Sequence, residues 1–226
     1  MSRNFFYPLL ENPYRKKDLS KAIDVVKSGK LTIGKHTRTF EKLFSKKLKT
    51  KFSLMVNSGS SANLLALQCL INPYRKKRLK RGDSVLIPTV CWSTSLWPVI
   101  QYNFKPVFVD VDPKTLNIDI SDLTKKITKK TKALVLVHVL GNSSNMDVLC
   151  KILKKKKIIL IEDTCESLGS KFKNKYLGTF GDFSTFSFYS SHQISSGEGG
   201  MITCRESEDY EILKSRRTRG EKKFNR

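Results

Sequence analysis

Seven short apolar runs, separated by small-residue turns and by longer stretches with helical periodicity, limit what this chain can fold into. The runs lie at 53–56, 84–88, 106–110, 133–139, 157–162, 183–188 and 201–204. Helical segments are predicted at about 18–29, 37–50, 60–71, 92–102, 121–130, 146–155 and 206–217. Their apolar residues recur every three or four positions, as in Phe40, Leu43, Phe44 and Leu48. Strand–helix alternation of this kind predicts an α/β fold with a mixed, mostly parallel seven-stranded sheet. Most runs are apolar throughout, as a sheet covered by helices on both faces requires. The elements account for nearly all 226 residues, so one main domain is expected, preceded by a helical segment over about 1–50.

Composition narrows the function class. A hydrophobic fraction of 39% with 13 Phe and 7 Tyr argues against disorder. No apolar run approaches the roughly 20 residues of a membrane span. The N-terminal Arg3 followed by Phe5-Phe6-Tyr7-Pro8 is too short for an export signal, so a cytoplasmic location is expected. Five cysteines, none at CxxC spacing, suggest neither a disulfide framework nor a zinc site. The net charge of +23 is spread over short Lys clusters such as Lys46-Lys47, Lys76-Lys77 and Lys154 to Lys157. A solvated surface is the favoured reading, and a basic nucleic-acid-binding protein is the alternative.

In sheets of this type ligands bind beyond the carboxyl ends of the strands. Four such ends carry candidate residues. After 53–56 comes Asn57-Ser58-Gly59-Ser60-Ser61-Ala62-Asn63, leading into a helix. Small hydroxyl residues and a glycine there make either an ordinary N-cap turn or an anion site. The end of the fifth run carries Glu162-Asp163-Thr164-Cys165-Glu166, whose acids are salt-bridge partners or hold a cationic ring nitrogen protonated. Beyond 183–188 runs a Ser- and Gly-rich loop containing His192 and Gly197-Glu198-Gly199-Gly200. The fourth end presents Trp92, a core residue or a stacking platform.

Together these elements resemble the DegT/StrS-type nucleotide-sugar aminotransferases, fold type I enzymes that use pyridoxal phosphate. The resemblance runs from Lys30-Leu31-Thr32-Ile33-Gly34 through Phe108-Val109-Asp110-Val111-Asp112 and Gly178-Thr179-Phe180-Gly181-Asp182 to Gly200. It implies that Gly59, Ser60, Ser61 and Ser187 bind the cofactor phosphate and that Trp92 stacks on its ring. Asp163 would pair with the ring nitrogen and Glu166 would approach the ring hydroxyl, although relatives commonly have Gln there. It further implies a smaller C-terminal domain beyond residue 226 and a homodimer whose partner subunit completes the site.

One departure bears on the reaction. The family's aminotransferases carry a Lys where this chain has His192, in Ser187-Phe188-Tyr189-Ser190-Ser191-His192. An imidazole cannot take the role of that amine, but it can move protons. A His there resembles a branch of nucleotide-sugar 3-dehydratases that work with pyridoxamine phosphate, and His138-Val139-Leu140-Gly141-Asn142 fits the same branch. The implied activity is C-3 deoxygenation of a 4-keto-6-deoxy nucleotide sugar for dideoxysugar and surface-polysaccharide synthesis, with glutamate as the expected amino donor. Branch members with an iron–sulfur cluster have one ligand where Cys165 stands. Their next cysteines would fall near Lys223 and Asn225, so the cluster-free kind, acting on GDP-linked sugars, is the nearer match. A catalytically inactive fragment of the same fold is the competing reading.

Overall fold

The computed structural model describes residue 11 and residues 13–218; Arg3, residues 5–8 and 219–226, with Lys223 and Asn225, lie outside the described residues. The chain opens with α1 (Lys16–Lys27) and α2 (Lys35–Leu48). Then follow β1 (Phe52–Val56), α3 (Gly59–Ile71), β2 (Ser84–Pro88), α4 (Ser93–Gln101), β3 (Lys105–Val109), α5 (Ile120–Lys126) and β4 (Thr131–Val137). The second half holds α6 (Met146–Lys156), β5 (Ile159–Asp163), β6 (Lys171–Phe172), β7 (Lys175–Tyr176), β8 (Phe183–Ser187), β9 (Gly200–Cys204) and α7 (Ser207–Arg217).

Seven strands form one sheet in the order β1-β9-β8-β5-β4-β2-β3. Every pairing is parallel except those of β9, which runs antiparallel to both β1 and β8. The carboxyl ends of the six parallel strands and the first residue of β9, Gly200, therefore share one edge of the sheet. A core of Leu54, Leu67, Leu70, Val85, Ile87 and their neighbours packs α3, α4 and α7 on one face. The other face buries Leu86, Leu134, Leu136 and Leu160 beneath Leu123 of α5 and Leu149 of α6. A third cluster seats Phe44 and Leu48 of α2 on Phe186, Phe188 and Met201.

Several boundaries differ from the sequence expectation. The fifth strand begins at Ile159 rather than 157, because Lys157 ends α6 in the left-handed conformation (φ 56°) and its N–H closes back on Leu153 O and Lys154 O. The fourth ends at Val137 rather than 139, since residues Val139–Gly141 coil into a 3₁₀ turn with Leu140 at φ 52°. The helix expected at 92–102 starts one residue later, with Trp92 as its N-cap. The β6–β7 hairpin was not expected; strands of two residues are too short for alternation to show. Helix α1 buries none of its residues, and Leu19, Ile23 and Val26 are exposed.

Candidate active site

Helix α3 opens the site. Ser58 is its N-cap, with Oγ accepting from Ser61 N at 3.1 Å, while the amides of Gly59 and Ser60 have no carbonyl four residues back to bond within the helix. Gly59 is required by space: a Cβ there would lie 2.8 Å from both Cys165 Sγ and Ser187 Cβ. Gly200 is required more strictly, since its Cβ would meet the Ser58 carbonyl at 2.4 Å. Backbone from three elements thus converges where free N–H groups and hydroxyls point outward.

At the end of β5, Asp163 is 5% exposed. Its Oδ2 accepts from Asn63 Nδ2 at 2.9 Å and from Ser95 Oγ at 2.7 Å, and its Oδ1 accepts from Cys165 N at 3.2 Å. Asn63 is itself fixed, since Thr185 Oγ1 donates to its Oδ1 at 2.7 Å. The carboxylate is thereby oriented by α3, α4 and its own strand end. Glu166 accepts from Leu140 N at 3.0 Å, and Gln193 Nε2 donates to the Glu166 carbonyl at 2.7 Å, tying the β8–β9 loop to the turn after β5. Cys165 is held well above the ordinary thiol range by burial and by the Asp163 carboxylate beside it, so it stays a thiol.

The loop between β8 and β9 is pinned at its base by Phe188 N to Gly199 O (2.8 Å) and Ser196 N to Phe188 O (3.0 Å). Within it, His192 N donates to Tyr189 O at 3.0 Å and the two rings meet edge to face. Among the described residues, neither imidazole nitrogen has a hydrogen-bond partner in the chain, which leaves both available to a ligand.

These groups enclose a cavity of about 400 Å³, within the range of small-molecule sites. Gly59, Ser60, Trp92, Asp163, Glu166, Ser187 and His192 all line it; Trp92 is 72% exposed and presents an open indole face. Ser61 is not on the wall. Its Oγ accepts from Ser58 Oγ at 3.2 Å, and Ser58 lines the cavity in its place. Sequence reasoning did not single out Thr94, Val137, Tyr189 or Glu198 on the wall, nor Asn63 and Ser95 behind Asp163. The run of three hydroxyl residues Ser93-Thr94-Ser95 at a helix start was the one local signal available.

A family model for the DegT/DnrJ/EryC1/StrS aminotransferases matches residues 13–226. The chain belongs to this family. Among its DegT relatives, the GDP-4-keto-6-deoxy-D-mannose 3-dehydratase of Escherichia coli O55:H7 is 42% identical over 95% of this chain and 55% of its own length. The chain spans about half the length of the curated relatives it matches. A solved structure of GDP-4-keto-6-deoxymannose-3-dehydratase with a trapped PLP-glutamate geminal diamine superposes with a TM-score of 0.89 at 42% identity, over 95% of this chain and 55% of that one. A mutant of the same enzyme with bound GDP-perosamine gives 0.88 at 42% identity, over 92% and 54%. The DegT fold, an α/β sheet of the pyridoxal-phosphate-dependent aminotransferase type, is therefore this chain's fold.

Proposed function

We propose that this chain is the large, cofactor-binding part of a pyridoxamine-phosphate-dependent 3-dehydratase acting on a GDP-linked 4-keto-6-deoxy sugar. The observation that carries the reading is His192 on the cavity wall at the position where the family's aminotransferases have Lys. Relatives that share about two-fifths of its residues over nearly the whole chain are dehydratases of that class.

The residues present fit pyridoxamine or pyridoxal phosphate. The Gly59 cradle leaves no room for a side chain but brings backbone amides, Ser60 and Ser187 to one spot, which suits a dianionic phosphate at a helix N-terminus. Asp163 suits a ring nitrogen, because its carboxylate favours the protonated ring and three donors hold it still. Trp92 offers a flat face for the ring. Glu166 is the candidate for the ring hydroxyl. When bound, the cofactor supplies an amine and a conjugated ring that accepts an electron pair.

The chain's own residues then have separate tasks. Asp163 keeps the ring nitrogen charged. Trp92 and Val137 restrict the ring to one plane and shield it from water. His192 would accept, on an imidazole nitrogen, the proton given up by the carbon that bears the cofactor's amine, and would return it to the C3 hydroxyl oxygen, which departs as water.

The substrate's nucleotide, glutamate as amino donor, a role in dideoxysugar and surface-polysaccharide synthesis, and cytoplasmic location belong to the same reading. Among the described residues no helix is long and apolar enough to cross a membrane. A second copy of the chain is the proposed partner. Among the described residues, α1 has no buried residue, and no Lys or Arg lines the cavity that would hold a phosphate.

Incubation with pyridoxamine phosphate, glutamate and GDP-4-keto-6-deoxymannose, followed by mass spectrometry of the sugar, tests the proposal. Loss of the C3 oxygen supports it. Accumulation of a 4-amino sugar with C3 intact would make the chain an aminotransferase instead. Cofactor binding with no sugar conversion is what an inactive fragment would show.

A further inference from the structure

The end of the sheet opposite the active site carries a groove whose chemistry is the inverse of the cavity's. Lys46 and Lys47 in the last turn of α2, Lys49 just beyond it, and Lys171 and Lys175 on the β6–β7 hairpin line a groove of about 1040 Å³. Among the described residues no Asp or Glu lines it. A smaller hollow of about 220 Å³ shares Lys49 and Thr179 with the groove and adds Lys51 and Arg205. Its one acid, Asp182, accepts from Leu160 N at 2.9 Å. The active-site cavity, in contrast, has Asp163, Glu166 and Glu198 on its wall and, among the described residues, no Lys or Arg.

Among the described residues, none of these lysines forms an ion pair. Attraction of cations to a helix C-terminus accounts for Lys46 and Lys47, but not for the lysines that the hairpin brings opposite them. Lys171 Nζ lies 4.6 Å from the Tyr176 ring centre and Lys175 Nζ 4.2 Å from that of Phe180. Aromatic rings thus hold the ammonium groups of these two exposed lysines in place by cation–π attraction, without neutralising their charge. Like charges gathered from two separate elements, with no anion of the chain between them, leave a field that an external anion would relieve. The groove is wide and open, which suits a chain rather than a single enclosed ion. Lysines predominate, and their point charges suit repeated phosphates better than one forked carboxylate.

We propose that this groove binds a linear chain of phosphates of the kind inorganic polyphosphate presents: its one aromatic residue among those described, Tyr176, already lies under Lys171, so the lining supplies charge and no platform for stacking bases. The proposal is independent of the enzymatic reading, because groove and cavity share no lining residue.

The test uses the full chain and two labelled probes, inorganic polyphosphate and oligothymidylate, read by fluorescence anisotropy across a salt series. A Lys46→Gln/Lys171→Gln/Lys175→Gln variant is compared with a Lys125→Gln/Lys129→Gln/Lys154→Gln variant, which removes the same charge from exposed sites elsewhere. The groove variant should lose at least about tenfold in affinity, and its log–log salt slope should fall by about 2, since each lost phosphate contact is worth about 0.7–0.9. The control should stay within about twofold. The pattern is expected with polyphosphate; the same pattern with oligothymidylate alone would overturn the choice of occupant. Equal losses in both variants would mean that only diffuse net charge acts, and would overturn the proposal, as would failure of both probes to bind. Circular dichroism of all three proteins confirms that the comparison is between folded chains.

Discussion

Glu162 and Asp163 are neighbours in β5 whose carboxylates serve opposite faces of the sheet. Asp163 reaches toward α3 and α4, where Asn63 and Ser95 donate to it. Glu162, fully buried, reaches the other way: its Oε1 accepts from Phe180 N (2.7 Å) and Gly181 N (2.6 Å), and its Oε2 from Gly178 N (2.9 Å) and His138 Nε2 (3.0 Å). Strand alternation separates an acid that faces the ligand cavity from one that anchors the scaffold. The segment 178–182 wraps the anchoring acid and contributes no residue to the cavity lining.

Removing a donor from Asp163 tests the first of these roles. Ser95→Ala deletes a 2.7 Å bond to a buried carboxylate. Such a bond is worth about 1.5–3 kcal/mol. A lower urea midpoint is expected, and weaker cofactor binding should accompany it in a fluorescence titration. An unchanged midpoint with unchanged binding would show that Asn63 and Cys165 N suffice.

Glu162 links stability to pH. Burial alone pushes its carboxyl up, but the bonds from His138 and from the amides of Gly181 and Gly178 outweigh burial and hold it below the ordinary range. A carboxyl lowered on folding stabilises above its unfolded value, near 4.3, and loses that contribution as pH falls through the folded value. Glu162→Gln places an NH₂ among N–H donors, so it should lower stability by about 3–5 kcal/mol at pH 7. The gap between variant and parent should narrow on acidification below the ordinary carboxylate range. Denaturant melts at pH 7 and at successively lower pH read this directly; a gap that does not change with pH would remove Glu162 from the acid response.

Gly200→Ala tests the close approach of β9 to the start of α3. The added methyl would sit 2.4 Å from a backbone carbonyl, which cannot swing aside as a side chain would. Overpacking of this kind costs about 1–3 kcal/mol. The thermal midpoint should fall, and phosphate-dependent cofactor binding should weaken more than in Gly82→Ala, which strains the backbone at φ 85° but adds a Cβ that meets no atom within 4 Å, so that lost stability alone is controlled for. Equal binding by both variants would show that the cradle does not select for phosphate.

Much of this architecture was legible in the chain because each apolar run is local. Runs such as 84–88 and 53–56 became strands within a residue of their expected bounds. Strand order was not legible, since the antiparallel insertion of β9 between β1 and β8 depends on contacts across the whole chain. The same limit applies to the site. His192 stands in a Ser- and Gly-rich loop that offers it no buried face, whereas Ser95 meets Asp163 across 68 positions and reads locally as an ordinary helix start. Ser61 illustrates a different limit: its Oγ meets Ser58 Oγ at the start of a helix that begins at Gly59, and that pairing within the run could not be read from the run itself.

The central claim is that His192 moves the proton. His192→Asn keeps a polar side chain on the cavity wall and leaves the Gly59 cradle, Asp163 and Trp92 untouched. Cofactor occupancy and the single-turnover rate of C3–O cleavage, measured on one sample of the active protein, decide the matter. Loss of a positioned acid–base group costs about 10²–10⁴ in rate. The account predicts full occupancy with a rate reduced by at least that order; an unchanged rate at full occupancy would contradict it.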